Sequence, residues 1–382
     1  MNFEQAKKIH FIAIGGIGVS ALAQLAHSQG KLVTGSDLSS SEITKKLSKM
    51  DNLKVTIGSH PELINKDIDL IVHSPAVPKT DAEYQRGLEL NIPILSYPQV
   101  LGQISLQKKT IAISGTNGKT TTTSMIVESF KYLNINPTVI IGGVLQKYNS
   151  NFINGNSEYF ITEACEYKRS FLSIHHDIAV ITNITEDHLD YFEDLADIQS
   201  AFIQFINNKK GSGIIVCNME LKTLEPIILY AKKNGVKIFD YSKYLTSEYI
   251  LEMPGEHNRQ NMAAALSTLE ALNLDVNSAY TYLSKEFLGT KRRMEYVGRT
   301  ENGAYIYDDY AHNPEGISFL FDAIKTKFPT KKIIALFEPH LYSRTEDFKE
   351  AFRKALSLSD ILYLFPVYKA REPHQPEKDF IL

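Results

Sequence analysis

Short apolar runs alternate with stretches of helical periodicity through the first hundred residues. Residues 9–14, 32–34 and 70–73 read as strands, and residues 20–27 and 43–50 as helices. That order predicts βαβ units and a parallel sheet. The pattern relaxes around Pro93, Pro98 and Gly102, which puts a first boundary near residue 104. A second α/β unit is predicted from strands at residues 111–113, 159–161, 178–181 and 213–216, with helical patterns around residues 125–127 and 199–206. After residue 290 come a strand at 304–306, a helix near 317–324 and strands at 333–336 and 361–365, which predict a smaller third α/β unit. The expected division is 1–104, 105–289 and 290–382, with no internal repeat and no low-complexity tract.

Composition narrows the classes without choosing among them. At 382 residues the chain exceeds what one core supports, so two or three domains are expected. Hydrophobic residues at 43% and charged residues at 22% are ordinary globular values and argue against long disorder or a coiled coil. A formal charge of -3 leaves no basic footprint, so nucleic acid is not an expected partner. The two cysteines, Cys165 and Cys217, suit a reducing compartment better than a disulfide framework. The run at residues 11–14 is too short to span a bilayer and is followed by glycines rather than a cleavage site. A cytoplasmic protein without a membrane partner is the expectation.

The stretch Gly115-Thr116-Asn117-Gly118-Lys119-Thr120-Thr121 carries the first chemistry. It lies between an apolar strand and a helix. Glycines let backbone N–H groups close on an anion, the helix N-terminus adds a favourable dipole, lysine neutralises terminal phosphates and a threonine hydroxyl holds Mg²⁺. The loop is shorter than the common G-x-x-x-x-G-K-[ST] form, whose first glycine would fall on Ile113. A second turn, Gly15-Gly16-Ile17-Gly18-Val19-Ser20-Ala21, fits G-x-G-x-x-A, and Asp37 follows about 20 residues on, where a carboxylate meets a ribose. The turn alone leaves NAD and other pyrophosphates, such as a UDP-sugar, equally open.

Further residues gather at predicted strand ends. Glu163 follows one strand and Asp187-His188 another, so Thr120 with ATP phosphates suits one divalent ion and Glu163 with His188 a second. Asn258 and Asn261 fall on one helix face, where paired amides read an adenine edge or where Asn258 merely caps the helix. Arg292-Arg293, the run from Asp308 and Asp309 to Pro314, and the run from Glu338 to Thr345 open or follow strands of the third unit. An arginine at a domain junction reaches phosphates in its neighbour, and His340 with Arg344 offers a seat for a carboxylate.

The ordered set of these clusters resembles the Mur ligase family, ATP-dependent amide-forming enzymes of peptidoglycan synthesis. The short Gly-Thr-Asn-Gly-Lys-Thr loop is its mark. Ile14-Gly15-Gly16-Ile17-Gly18, Glu163-Ala164-Cys165-Glu166-Tyr167, Thr182-Asn183-Ile184 with Asp187-His188-Leu189-Asp190, Pro339-His340, and Tyr368-Lys369-Ala370-Arg371-Glu372 extend it over nearly the whole chain. The resemblance implies an N-terminal Rossmann-like domain holding a UDP-sugar at Gly15, Gly16 and Gly18, a central P-loop ATPase and a C-terminal Rossmann-like domain that brings the amino acid. It implies ATP and Mg²⁺ as cofactors, with Thr120, Glu163 and His188 at the metal ions, Asn258 and Asn261 at adenine, and Arg293 and Asp309 with the nucleotide. Within the family it points to UDP-N-acetylmuramate and L-alanine as substrates of a monomer or homodimer. In the implied reaction Lys119 and Mg²⁺ stabilise the γ-phosphate while the muramoyl carboxylate attacks it, and the amine then attacks the acyl phosphate.

Three departures bear on this. The members that use L-alanine usually carry His where Asn117 stands. Many carry Arg after Pro339-His340, where this chain has Leu341, so Arg344 is the expected cationic substitute. The chain stops at Leu382, several tens of residues short of the resemblance, so a shortened C-terminal domain is expected. Three other readings stay open: another Mur ligase such as a peptide-recycling one, an NAD-dependent dehydrogenase that leaves the phosphate loop unexplained, and a non-catalytic nucleotide-binding homologue.

Overall fold

The computed structural model describes residues 2–370 and 372–382; Arg371, one of the motif residues above, lies outside them. The first unit alternates β1 (Lys8–Ile12), α1 (Ile17–Ser28), β2 (Leu32–Asp37), α2 (Glu42–Leu47), β3 (Leu53–Ile57), β4 (Leu70–His73), α3 (Ala82–Glu89), β5 (Ile94–Ser96) and α4 (Tyr97–Gln107). Its five strands are all parallel, in the order β3-β2-β1-β4-β5. The order reverses at β1, so the Gly15–Gly18 turn leaves the carboxyl end of the central strand at the switch point.

The central unit comprises β6 (Lys109–Ser114), α5 (Lys119–Tyr132), β7 (Thr138–Leu145), β8 (Ser150–Ile153), β9 (Tyr159–Glu163), β10 (His176–Ile181), α6 (Leu195–Asn207), β11 (Lys209–Cys217), α7 (Glu225–Lys233), β12 (Lys237–Asp240), α8 (Glu256–Ala271) and α9 (Val276–Glu286). Its seven strands run β12-β11-β10-β6-β9-β7-β8, parallel except for the β7–β8 hairpin. β6 is the switch strand. Its residues Thr110 to Ser114 are fully buried because the sheet is covered on both faces. Ala112 joins the core shared with the first unit, while Ile111 and Ile113 join the core under α5, α8 and α9, as the period of two requires.

α5 opens on Lys119 and four consecutive threonines, a weak helix former by propensity. Packing compensates. Every residue from Thr120 to Phe130 is buried between the sheet, α8 and α9. Ala263, Ala264 and Ala265 of α8 have no exposed surface, and their small side chains let α8 lie close to α5.

The third unit holds β13 (Glu295–Arg299), β14 (Tyr305–Asp308), α10 (Pro314–Lys327), β15 (Ile334–Phe337), α11 (Tyr342–Asp347), α12 (Lys349–Leu356) and β16 (Ile361–Leu364). Its strands form two separate pairs, antiparallel β13–β14 and parallel β15–β16, rather than one sheet. Ile317, Phe321, Phe337 and Phe352 make a small core of its own, while Ile334 and Leu336 on the other face of β15 are exposed.

The first two units are joined differently from the third. One apolar core runs from Ile9, Phe11 and Leu22 through Ala112, Phe160 and Phe171 to Phe202. Asn151 of β8 reinforces the seam: its amide nitrogen donates to the Ile17 carbonyl and, at 2.9 Å, to Ser20 Oγ, and its oxygen accepts from Gln24 at 3.0 Å. The division expected near residue 104 falls inside α4, and the two sheets part between Gln107 and Lys109.

Candidate active site at the carboxyl ends of β6, β9 and β10

Three neighbouring strands deliver the chemistry: β6 runs into the phosphate loop, β9 ends on Glu163 and β10 leads into Thr182-Asn183. The loop is fastened from below by the segment after β10. The Thr116 and Asn117 amides donate to the Asn183 carbonyl and Oδ1 at 3.0 and 2.9 Å, and Thr182 Oγ1 donates to the Asn117 carbonyl at 2.6 Å. Only glycine fits two of its positions. Gly115 has φ 130° with Thr182 Oγ1 2.1 Å from where a Cβ would stand, and Gly118 has φ 85° with Asn261 Oδ1 at 2.2 Å. Asn261 therefore supports the loop, since the same Oδ1 accepts from Thr122 at 3.1 Å.

Lys119 reaches back across the loop to the Gly115 and Thr116 carbonyls and pairs with both oxygens of Glu166 at 3.0 Å. Burial opposes its charge, yet the Glu166 carboxylate holds the ammonium above its ordinary pKa. Glu166, buried, occupies the place of an anion beside the lysine. The sequence carried Glu166 only inside a motif, without a role.

Glu163 accepts from the Gly142 amide at 2.9 Å and from the Thr120 hydroxyl, and burial pushes it above the usual carboxylate range. A divalent cation would reverse that effect. Two hard oxygens close to the Lys119 ammonium fit Mg²⁺, which takes few protein ligands and completes its shell with other oxygens and waters. Among the described residues no three His, Cys, Asp or Glu side chains converge as a metal cluster.

His188 lines the same cavity as Glu163, with one ring nitrogen engaged. Its Nδ1 accepts from Arg344 Nη2 at 3.4 Å, its ring lies 4.7 Å from the Tyr167 ring, and burial keeps the imidazole below its ordinary pKa. Arg344 is itself buried and also donates to Asp187 at 3.5 Å, so its guanidinium serves a junction between units. His340 forms a bridge with Tyr368, its ring 5.7 Å from that tyrosine. Neither His340 nor Arg344 lines the cavity described next.

A cavity of about 580 Å³ extends from the loop between the central and third units. Lys119, Thr120, Glu163, His188, Asn258, Asn261, Arg293 and Asp309 line it. Asn258 lies inside α8, whose N-cap is Gly255 with no side-chain cap bond, and its amide nitrogen donates to the Pro254 carbonyl at 2.7 Å. Asp309 accepts from the Met294 and Ala311 amides at 2.6 and 2.7 Å and shapes the turn that carries Arg293. The far wall is α10, whose Glu315 accepts from Asn117 at 2.6 Å and from Thr185 at 3.2 Å. Nothing in the sequence linked Asn117 to Glu315, which lie 198 residues apart.

In the first unit, Asp37 accepts from the Gly15 and Ser39 amides at 2.9 and 3.1 Å, and so closes the turn it was expected to serve as a ribose ligand. Tyr97 packs on Gly18, and burial, with Glu163 and Cys165 close by, pushes its phenol up so that it stays protonated at neutral pH. No signal in the sequence marked Tyr97.

Comparisons with known proteins agree with this architecture. The Mur ligase family catalytic domain matches residues 8–109, the Mur ligase middle domain residues 113–251 and the Mur ligase glutamate ligase domain residues 292–380. A UDP-N-acetylmuramate–L-alanine ligase of Clostridium kluyveri is 39% identical, covering 97% of this chain and 86% of its own. One from Agathobacter rectalis is 36% identical with the same coverage. Among solved structures, UDP-N-acetylmuramate-alanine ligase MurC from Thermotoga maritima superposes with TM-score 0.80 at 28% identity, over 95% of this chain and 86% of that one. A murein peptide ligase from Psychrobacter arcticus shares the fold, with TM-score 0.75 at 24% identity over 94% and 85%. The chain belongs to the Mur ligase family of ATP-dependent, amide-bond-forming ligases. The α/β three-domain class expected from the sequence is the one found.

Proposed function

We propose that this protein joins L-alanine to the carboxylate of UDP-N-acetylmuramate at the expense of ATP, in the cytoplasm, as a step of peptidoglycan precursor synthesis. The supporting observation is the meeting of Lys119, Thr120 and Glu163 at one switch point, in a cavity walled by the third unit. The identity to L-alanine ligases over 97% of the chain supports the choice of substrates. In this reading Lys119 leaves Glu166 for the γ-phosphate and stabilises charge as the muramoyl carboxylate attacks. Thr120 and Glu163 would hold Mg²⁺, which would supply charge neutralisation at the phosphates. Arg293 approaches the same phosphates from the third unit, and Asn258 faces the adenine. The acyl phosphate then receives the amine of L-alanine, and the tetrahedral intermediate collapses to amide and phosphate. No enzyme nucleophile takes part, so positioning and electrostatics supply the acceleration.

The test is phosphate release from ATP and Mg²⁺ with each substrate omitted in turn, and with a peptide offered in place of L-alanine. Release that requires both UDP-N-acetylmuramate and L-alanine, and that Lys119→Ala lowers by about 1,000-fold or more, is expected. Release with the peptide alone would reassign the acceptor.

A further inference from the structure

Asn117 stands in the phosphate loop shortly before Lys119, yet its backbone and both ends of its side chain are engaged by protein. Its amide donates to Asn183 Oδ1 at 2.9 Å, and its carbonyl accepts from Thr182 Oγ1 at 2.6 Å and from Asn183 Nδ2 at 3.0 Å. The backbone donor that such a loop turns towards an anion is therefore already used. The side chain faces the third unit instead: Nδ2 donates to Glu315 Oε2 at 2.6 Å, and Oδ1 accepts from Asn313 Nδ2 at 3.2 Å. Both partners belong to the start of α10. Asn313 caps that helix, its Oδ1 accepting from the Gly316 amide at 2.7 Å, and Glu315 lies in the first turn, where a carboxylate complements the helix dipole.

Glu315 also holds the segment after β10. Thr185 Oγ1 donates to the same Oε2 at 3.2 Å, and the Thr185 amide donates to Thr116 Oγ1 at 2.9 Å. One carboxylate oxygen thus ties α10 to the loop and to its brace, and Asn117, Thr185, Asn313 and Glu315 all line the cavity. An amide suits position 117 because it turns a donor to a carboxylate and an acceptor to another amide. The third unit keeps an apolar core of its own, so polar contacts of this kind set its register on the loop. The contact of Arg344 with Asp187, at 3.5 Å, is longer. We infer that Asn117 and Glu315 are positioning residues whose bond sets the third unit, and with it the amine of L-alanine, against the acyl phosphate formed at Lys119. The inference rests on the function proposed above and gives Asn117 a docking role in place of a phosphate contact.

The test compares Glu315→Ala, Glu315→Gln, Asn117→Ala and the double substitution Asn117→Ala with Glu315→Ala in steady-state turnover of the full chain. Glu315→Ala is expected to raise KM for L-alanine about tenfold, the size of one hydrogen bond to a charged group, and to leave KM for UDP-N-acetylmuramate and the melting temperature unchanged. Glu315→Gln keeps an oxygen that both donors can reach and is expected to stay within about threefold of the unsubstituted protein. With Asn117→Ala already present, Glu315→Ala is expected to cost about threefold or less, because the bond it would remove is gone. Amide hydrogen exchange of the ligand-free chain follows the docking without turnover, and Glu315→Ala is expected to speed exchange at residues 116–118 and 315–318. An unchanged KM for L-alanine, an equal rise for both substrates, or effects of the two substitutions that simply multiply would each overturn the inference. No turnover by the unsubstituted protein would overturn the functional reading instead, and unaltered exchange would remove the docking contact itself.

Discussion

Lys119 and Glu166 illustrate how a buried cation is kept satisfied at the start of a helix. A buried ammonium with no partner costs several kcal/mol, and Glu166 meets that cost with two contacts at 3.0 Å. Glu166→Gln keeps the shape and loses the charge. Its nucleotide-free stability is expected to fall by about 3 kcal/mol, and Mg²⁺ and ATP are expected to raise its melting temperature by more than they raise the unsubstituted protein's. An unchanged melt would remove Glu166 from this role. The sequence made the lysine legible because a Gly-rich loop before a helix carries its own spacing, whereas Glu166 needed the fold to bring residues 47 apart into contact. His340 and Arg344 show the converse. Their charge suggested a carboxylate seat, but a sequence does not report that Asp187 and His188 already engage the arginine.

At the scale of elements, the strand and helix alternation of the first two units was readable because buried parallel strands are short continuous apolar runs. β6 and β10 are examples, each fully apolar at its centre. α4 was not readable, because Pro98 and Gly102 look like loop signals. In the structure Pro98 sits in the first turn of the helix, where no amide hydrogen is needed, and Gly102 lets the helix touch the carbonyl of Ser173. A Cβ at Gly102 would stand 2.3 Å from that oxygen. Gly102→Ala should therefore lower the unfolding free energy by about 1–3 kcal/mol in a denaturant titration, with no change in the cavity residues. A neutral result would mean that α4 shifts freely on its neighbour.

Across the whole molecule, the first and central units behave as one body through a shared core, while the third is held by its own small core and by polar contacts such as Asn117 to Glu315 and Arg344 to Asp187. That difference suits a unit that moves to deliver one substrate to another. Two histidines, one buried at the start of β10 and one half-buried at the start of α8, set an acid limit on the fold. Burial holds His176 and His257 down at about 4, against an ordinary 6.5, so the unfolded chain takes up protons that the folded chain refuses between those values. Stability is full above 6.5 and is lost as pH falls towards 4, at about 1.4 kcal/mol per pH unit for each histidine. His176→Gln should reduce the slope of stability against pH over that range by about that amount, and an unaltered slope would contradict the assignment. The central claim is that the cavity makes an amide bond, and mass spectrometry of the reaction mixture tests it most directly. With UDP-N-acetylmuramate, L-alanine, ATP and Mg²⁺, the account predicts UDP-N-acetylmuramoyl-L-alanine in amounts equal to the phosphate released. Phosphate without that product, or no reaction at all, would contradict it.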